Sequence, residues 1–280
     1  MKILVENYKD LYSTESMYLH GAMRMAQCES YIWDTSVYSA YDIIDMVQPE
    51  VLLLKWSSSK LNDVLKYIKN NSKSPDIIIN VTGADENFIK YLKLKSKFLF
   101  TNNYFQYINS ENAIELIMPG ADLFIPPISI PEYQIDAAIC YENFEKYDHD
   151  YESYHYLHFG TFNEKNCDLN VTLINLASLY SRYKNFVLFG DLNFIFSQIF
   201  FDANFRSNKV VLKNKEQDFE SLRNILGHIF SFDLNENIDM DIKQQIKTQH
   251  TCLNRCQQVL KLLNNTSAIE ILDREINKNV

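Results

Sequence analysis

Short unbroken apolar runs alternate along the chain with longer segments whose apolar positions recur every three to four residues. Runs of the first kind are strands buried on both faces of a parallel sheet. Segments of the second kind are the crossover helices that cover them. The runs Lys2–Glu6, Ser30–Trp33, Val51–Trp56, Asp76–Val81 and Lys97–Thr101 predict strands, and Ser16–Gln27, Lys60–Asn70 and Glu86–Lys93 predict helices among them. This rhythm predicts a doubly wound first domain. It stops at Met118-Pro119-Gly120-Ala121-Asp122-Leu123-Phe124-Ile125-Pro126-Pro127, where three prolines and a glycine block regular structure.

From Glu132 to Glu152 the chain is acidic and rich in tyrosine, with one candidate strand at Ile135–Tyr141. The α/β rhythm then resumes. Strands are expected at Tyr154–Phe159, Asn185–Phe189, Lys209–Leu212 and His228–Phe232, and helices at Asn170–Tyr183, Phe196–Phe205 and Gln217–Leu226. One long helix over Ile238–Leu263 follows, then a last helix over Ala268–Lys278. Ser267 with Glu270 three positions on forms a capping-box start for it. The expected organisation is therefore two doubly wound Rossmann-like domains, residues 1–125 and 126–280, with a cleft between them and the final helix packing back on the first.

The length of 280 residues suits two domains of roughly 100–150 each. With 46% hydrophobic and 22% charged residues the composition is globular. A formal net charge of −9 repels a nucleic-acid backbone, so no nucleic-acid partner is expected. A nucleotide diphosphate is still compatible with that charge, because a helix N-terminus and a few local cations can hold it. The five cysteines, Cys28, Cys140, Cys167, Cys252 and Cys256, have neither zinc-type spacing nor a disulfide pattern and read as core thiols of a reducing compartment. No run approaches a membrane span and no signal-type apolar segment follows Met1, so a cytoplasmic location is expected, with peripheral membrane contact left open.

Three local sequences stand out: Pro119-Gly120-Ala121-Asp122 running into Phe124 and Pro126, then Phe159-Gly160-Thr161-Phe162, and Val187-Leu188-Phe189-Gly190-Asp191. The first resembles the segment that closes the first domain of GT-B glycosyltransferases, and the other two look like strand ends of their second. The more specific resemblance is to the CgeB-like members. Phe201-Asp202-Ala203 before an apolar run, and His250-Thr251-Cys252-Leu253-Asn254-Arg255 opening a helix, follow their order and spacing. The chain departs from the pattern in three places. Phe194 and Ile195 stand where related retaining enzymes carry a second acid, Arg206-Ser207-Asn208 replaces a glycine turn, and Asn7-Tyr8-Lys9-Asp10 replaces a glycine-rich loop.

What the resemblance implies is transfer of a sugar from a nucleotide-sugar donor to a glycan or other acceptor. The alternative is a GT-B-like binding or assembly protein that has lost turnover, as the departures suggest. Gly160, Thr161, Gly190, Asp202, His250, Thr251 and Arg255 are the expected donor-binding residues. Asp202 would accept hydrogen bonds from the donor ribose, and Gly160 would admit the donor close to the backbone. His20, Lys55 and Asp85 are the candidates for the catalytic group, with Trp56 beside them as an aromatic able to stack on a sugar ring. No cofactor is expected beyond the donor. Asp148-His149-Asp150, the one D-x-D triplet by letter, lies in the acidic stretch and reads as a solvated loop, so no metal is expected either.

Overall fold

The computed structural model describes residues 1–8, 14–124, 136–140, 154–159, 169–171, 183, 186–190, 197–206, 210–214 and 238–278. The chain divides into two compact units. Unit 1 comprises Met1–Lys9, Glu15–Met118 and Cys252–Val280, and unit 2 comprises Asp10–Thr14 and Pro119–Thr251.

Unit 1 holds strands β1 (Lys2–Glu6), β2 (Glu29–Trp33), β3 (Val51–Lys55), β4 (Asp76–Asn80), β5 (Phe98–Thr101) and β6 (Glu115–Leu116). They form one parallel sheet in the order β2-β1-β3-β4-β5-β6. The inner strands β1, β3, β4 and β5 have apolar centres because both faces are covered, whereas the edge strand β2 alternates exposed and buried positions. Leu4, Leu52, Leu54, Ile77 and Ile79 enter a core with α2 (Ala40–Val47), α3 (Leu61–Asn70) and α4 (Glu86–Lys93). The alternate residues Ile3, Val5, Leu53 and Ile78 are equally buried and belong to the opposite face. There α1 (Glu15–Met25) packs on β1 and β2, and on α8 (Cys252–Leu262) and α9 (Thr266–Lys278).

Unit 2 has a five-stranded parallel sheet of β7 (Asp136–Cys140), β8 (Tyr154–Phe159), β9 (Leu169–Val171), β10 (Phe186–Gly190) and β11 (Val210–Asn214). Its order is β11-β10-β7-β8-β9. Helices α6 (Gln198–Arg206) and α7 (Ile238–Gln249) pack on each other.

Three expectations from the sequence need correction. Asn170 and Val171, expected to begin a helix, end the strand β9 instead, paired with His158 and Phe159. The helix expected over Ile238–Leu263 is two. Thr251 leaves the helix to form a parallel bridge with Ala121, and the His250 carbonyl accepts the Ala121 N–H at 2.9 Å. The last helix is capped by Asn265 and not by Ser267. Asn265 Oδ1 accepts the Ala268 N–H at 3.3 Å and the Ser267 hydroxyl at 3.1 Å. Asn265 is placed there because α8 ends on a left-handed Asn264 (φ 56°), with the Asn264 and Asn265 amides turning back to the Lys261 and Leu260 carbonyls. The expected helix Gln217–Leu226 and strand His228–Phe232 lie outside the described residues. Elements β6 and α5 (Tyr104–Asn109) arise where the hydrophobic pattern is too short to show a period, whereas α2 shows one, with Ala40, Ile43, Ile44 and Val47 buried on one face, that the sequence reading passes over.

Candidate functional site

In doubly wound sheets a ligand site forms beyond the carboxyl ends of the strands, where the strand order reverses. In unit 1 that point lies between β1 and β3. Glu6 closes β1 with Tyr8 two residues on, Lys55 closes β3, Asn80 closes β4, and Asn102 follows β5. Glu15, the first residue of α1, ties several of these together. The Tyr8 hydroxyl donates to Glu15 Oε2 at 2.5 Å, Asn80 Nδ2 donates to the same oxygen at 2.7 Å, and Asn102 Nδ2 donates to Oε1 at 2.7 Å. Asn80 Nδ2 also reaches Asn102 Oδ1 at 2.6 Å. Lys55 Nζ stands 5.3 Å from the centre of the Tyr8 ring, and its backbone N–H donates to Glu6 Oε2 at 3.0 Å.

Burial dominates the electrostatics of this rim. It pushes the Glu15 carboxyl above the usual carboxylate range, opposed by the Tyr8 hydroxyl, the two asparagine amides and the Lys55 charge. It raises the Tyr8 phenol well above its ordinary value, with the Glu15 charge acting in the same direction. Glu6 is raised by burial too, against the Ser58 hydroxyl and Lys55. Two buried carboxyl groups and a tyrosine thus stand beside one lysine at this end of the sheet.

Of the three catalytic candidates, only Lys55 belongs to this rim. His20 lies along α1, with Nδ1 2.9 Å from the Ser30 hydroxyl on β2, and burial followed by the Arg24 charge lowers its pKa. Asp85 is the N-cap of α4 and accepts the Phe88 N–H at 2.9 Å. The Trp56 indole donates to the Thr82 carbonyl at 2.7 Å and meets Phe88 edge-on at 6.0 Å. Glu15, Tyr8, Asn80 and Asn102 are the rim residues the sequence reading misses. The signal for Tyr8, Asn80 and Asn102 was a polar residue at or just past the carboxyl end of an apolar run, as in Asp76-Ile77-Ile78-Ile79-Asn80; Glu15 carried none.

In unit 2 the order reverses between β7 and β10. Gly190 is the last residue of β10, one beyond the pairing of Phe189 with Cys140 at the end of β7, so it stands at the reversal point. Gly160, Thr161 and the triplet Asp148-His149-Asp150 lie outside the described residues.

Asp202, on α6, is wholly buried (0% exposed). Its Oδ1 accepts the Asp122 backbone N–H at 2.7 Å, and Gln198 Nε2 approaches Oδ2 at 3.4 Å. Asp122 in turn accepts the Thr14 hydroxyl through Oδ2 at 2.6 Å and the Phe124 N–H through Oδ1 at 2.9 Å. Gln198 brackets Thr14, accepting its N–H at 2.8 Å and donating to its hydroxyl at 2.7 Å, and Arg206 donates Nη2–H to the Asp122 carbonyl. Burial pushes the Asp202 carboxyl up to about 7; the Asp122 N–H lowers it, the Asp122 charge raises it, and Arg206 and Gln198 lower it.

His250 and Thr251 join this network through Ala121, and the His250 ring lies 5.8 Å from that of Phe201. Asp202, His250 and Thr251 are thus brought together around the crossover at Ala121–Asp122. Arg255 belongs to α8 of unit 1, is buried, and donates Nη1–H to Gln258 Oε1 at 3.4 Å. Burial lowers its pKa to about 10, the nearby Tyr18 opposing. Among the described residues no group of three or more His, Cys, Asp or Glu side chains is disposed to hold a metal ion, and no helix is long and apolar enough to cross a membrane.

No family model matches the chain, and no curated protein sequence matches it. Among solved structures it is similar to the glycosyltransferase SnogD from Streptomyces nogalater, at 10% identity and a TM-score of 0.47 over 93% of this chain and 98% of that one. It is also similar to the glycotransferase of kitacinnamycin, at 10% identity and a TM-score of 0.43 over 99% and 98% of the two chains. A phosphoglycerate dehydrogenase from Lactobacillus plantarum shares 12% identity over 81% and 78%, with a TM-score of 0.24.

Proposed function

We propose that this protein transfers a sugar from a nucleotide-sugar donor to a glycan or other acceptor, with the donor held by unit 2. The observation that carries the reading is the position of Gly190, at the carboxyl end of β10 where the order of the second sheet reverses. A residue without a side chain lets a diphosphate approach the backbone at that point. Gly160 and Thr161, by the sequence resemblance, line the neighbouring strand end, and the His250–Thr251 turn completes the site. Asp202 serves it through the crossover backbone that it holds. Neutralisation of the leaving diphosphate is assigned to backbone dipoles and basic side chains, without a metal.

Incubation with a panel of nucleotide sugars in the presence of a chelator tests the reading. Slow release of nucleoside diphosphate from one donor is expected. A second reading, donor binding without turnover, is favoured by the apolar pair Phe194-Ile195 where related enzymes carry an acid. It predicts saturable binding of a donor that is recovered intact.

A further inference from the structure

Helices α3 and α4 each run from the carboxyl edge of the first sheet back to its amino edge, where the next strand begins. The two returning turns, residues 71–75 before β4 and 94–97 before β5, are neighbours. The strands they enter pair in parallel, and Lys97 Nζ meets Asp76 Oδ2 at 2.5 Å. Residues 60–97 carry eight lysines against four acids, in a chain whose net charge is −9.

Five of these lysines gather at this edge and are exposed: Lys69 in the last turn of α3, Lys73 just after it, Lys90 and Lys93 in the last turn of α4, and Lys95 beyond. Among the described residues none of the five makes an ion pair. The acids beside them are already engaged. Asp76 is held by Lys97, and Glu50, just before β3, accepts the Lys2 N–H at 2.7 Å and faces the N-terminal ammonium at 3.7 Å. Asp85 and Glu86 stand at the opposite end of α4. The helix dipole accounts for a lysine in each last turn. It does not account for Lys73 and Lys95, which lie beyond the helices, or for Leu94. Leu94 is the C-cap residue of α4, lies between Lys93 and Lys95 in the chain, and is 82% exposed. The Lys95 N–H turns back to the carbonyl of Leu92, which is buried in the core, so the turn that carries Leu94 is anchored from within.

We propose that this edge of unit 1 docks on the surface of an anionic phospholipid bilayer, with Leu94 entering the headgroup layer and the five lysines set against the lipid phosphates. Charge complementarity selects this occupant. Lysines are mobile point charges suited to a diffuse anionic surface, and residues 60–97 contain no arginine, the fork that discrete phosphate and carboxylate sites use. A leucine at the tip gains from an acyl boundary and gains nothing from a soluble polyanion. The excess negative charge lies elsewhere in the chain and is repelled by the same surface, which orients the approach. The proposal concerns unit 1 and does not rest on the donor site.

Vesicle flotation of the full chain, with no donor present, tests it. The wild type is expected to float with vesicles of phosphatidylcholine and phosphatidylglycerol in equal parts and to stay behind with phosphatidylcholine alone. Raising the salt from about 0.1 to about 1 M shortens the screening length from about 10 to about 3 Å and should weaken binding by about tenfold or more. Each basic residue near an anionic leaflet is worth about fivefold in partitioning, so Lys90→Gln/Lys93→Gln/Lys95→Gln should lose about a hundredfold. The control Lys261→Gln/Arg274→Gln/Lys278→Gln makes the same change in net charge on α8 and α9 and should lose less than about threefold. Leu94→Ser should lose about tenfold. A wild type that stays behind with the mixed vesicles, binding that salt does not weaken, or an equal loss in the control overturns the proposal. So does a Leu94→Ser variant that binds as the wild type does, because lysines that serve a soluble polyanion would behave in that way. The salt series and the phosphatidylcholine arm need no variant.

Discussion

The Tyr8 hydroxyl donates to Glu15 Oε2 at 2.5 Å, joining the end of β1 to the start of α1 at the point where the first sheet reverses its order. Glu15 also accepts from Asn80 and Asn102, so removing its carboxylate strands three donors. Glu15→Ala should lower stability by about 3 kcal/mol or more, and Tyr8→Phe by about 1 kcal/mol. Urea unfolding at neutral pH measures both. Equal, small losses would mean that the group does not hold the rim together.

Asp202 makes a signed prediction about pH. Its folded pKa of about 7 lies above the unfolded value of 3.8, so the folded state binds its proton more tightly. Stability from this group is full below the unfolded value, declines as pH rises towards 7, and is flat above. Asp202→Asn lacks this decline. The stability difference between wild type and Asp202→Asn should therefore move against the wild type between about pH 4 and 7, by a few kcal/mol at about 1.4 per pK unit. Thermal melts of both proteins across that range measure it. A pH-independent difference would contradict the assignment.

The start of α9 separates two local readings. Asn265 accepts the Ala268 amide, whereas Ser267 only donates to Asn265. Asn265→Ala should cost about 1 kcal/mol, and Ser267→Ala a few tenths at most. Paired melting curves distinguish them, and a larger loss in Ser267→Ala would restore the capping box that the sequence suggests.

The strands were legible as short apolar runs bounded by turn residues, whose length separates them from the helices. Lys2–Glu6 and Asp76–Asn80 are examples. The break at His250-Thr251 was hidden because it depends on Ala121, a residue far away in the chain, which offers an N–H and a bridge partner. Asn170 was misread for a similar reason, since pairing with His158 decides its conformation and local periodicity does not. The candidate site was legible in part. Lys55 and Gly190 stand at strand ends that the hydrophobic pattern marks. Glu15 could not be placed from the sequence, because its partners Tyr8, Asn80 and Asn102 converge only once the sheet has formed.

The central claim is that unit 2 holds a nucleotide-sugar donor at the reversal point of its sheet, beside Gly190. Calorimetric titration with uridine and guanosine diphosphate sugars, with and without a chelator, tests it most directly, using wild type and a folded Gly190→Val variant. The account predicts saturable binding of at least one donor by the wild type, unchanged by the chelator. It predicts a loss of about tenfold or more in the variant, whose side chain would occupy the approach to the backbone. Binding of no donor by the wild type, or equal binding by the variant, would contradict it.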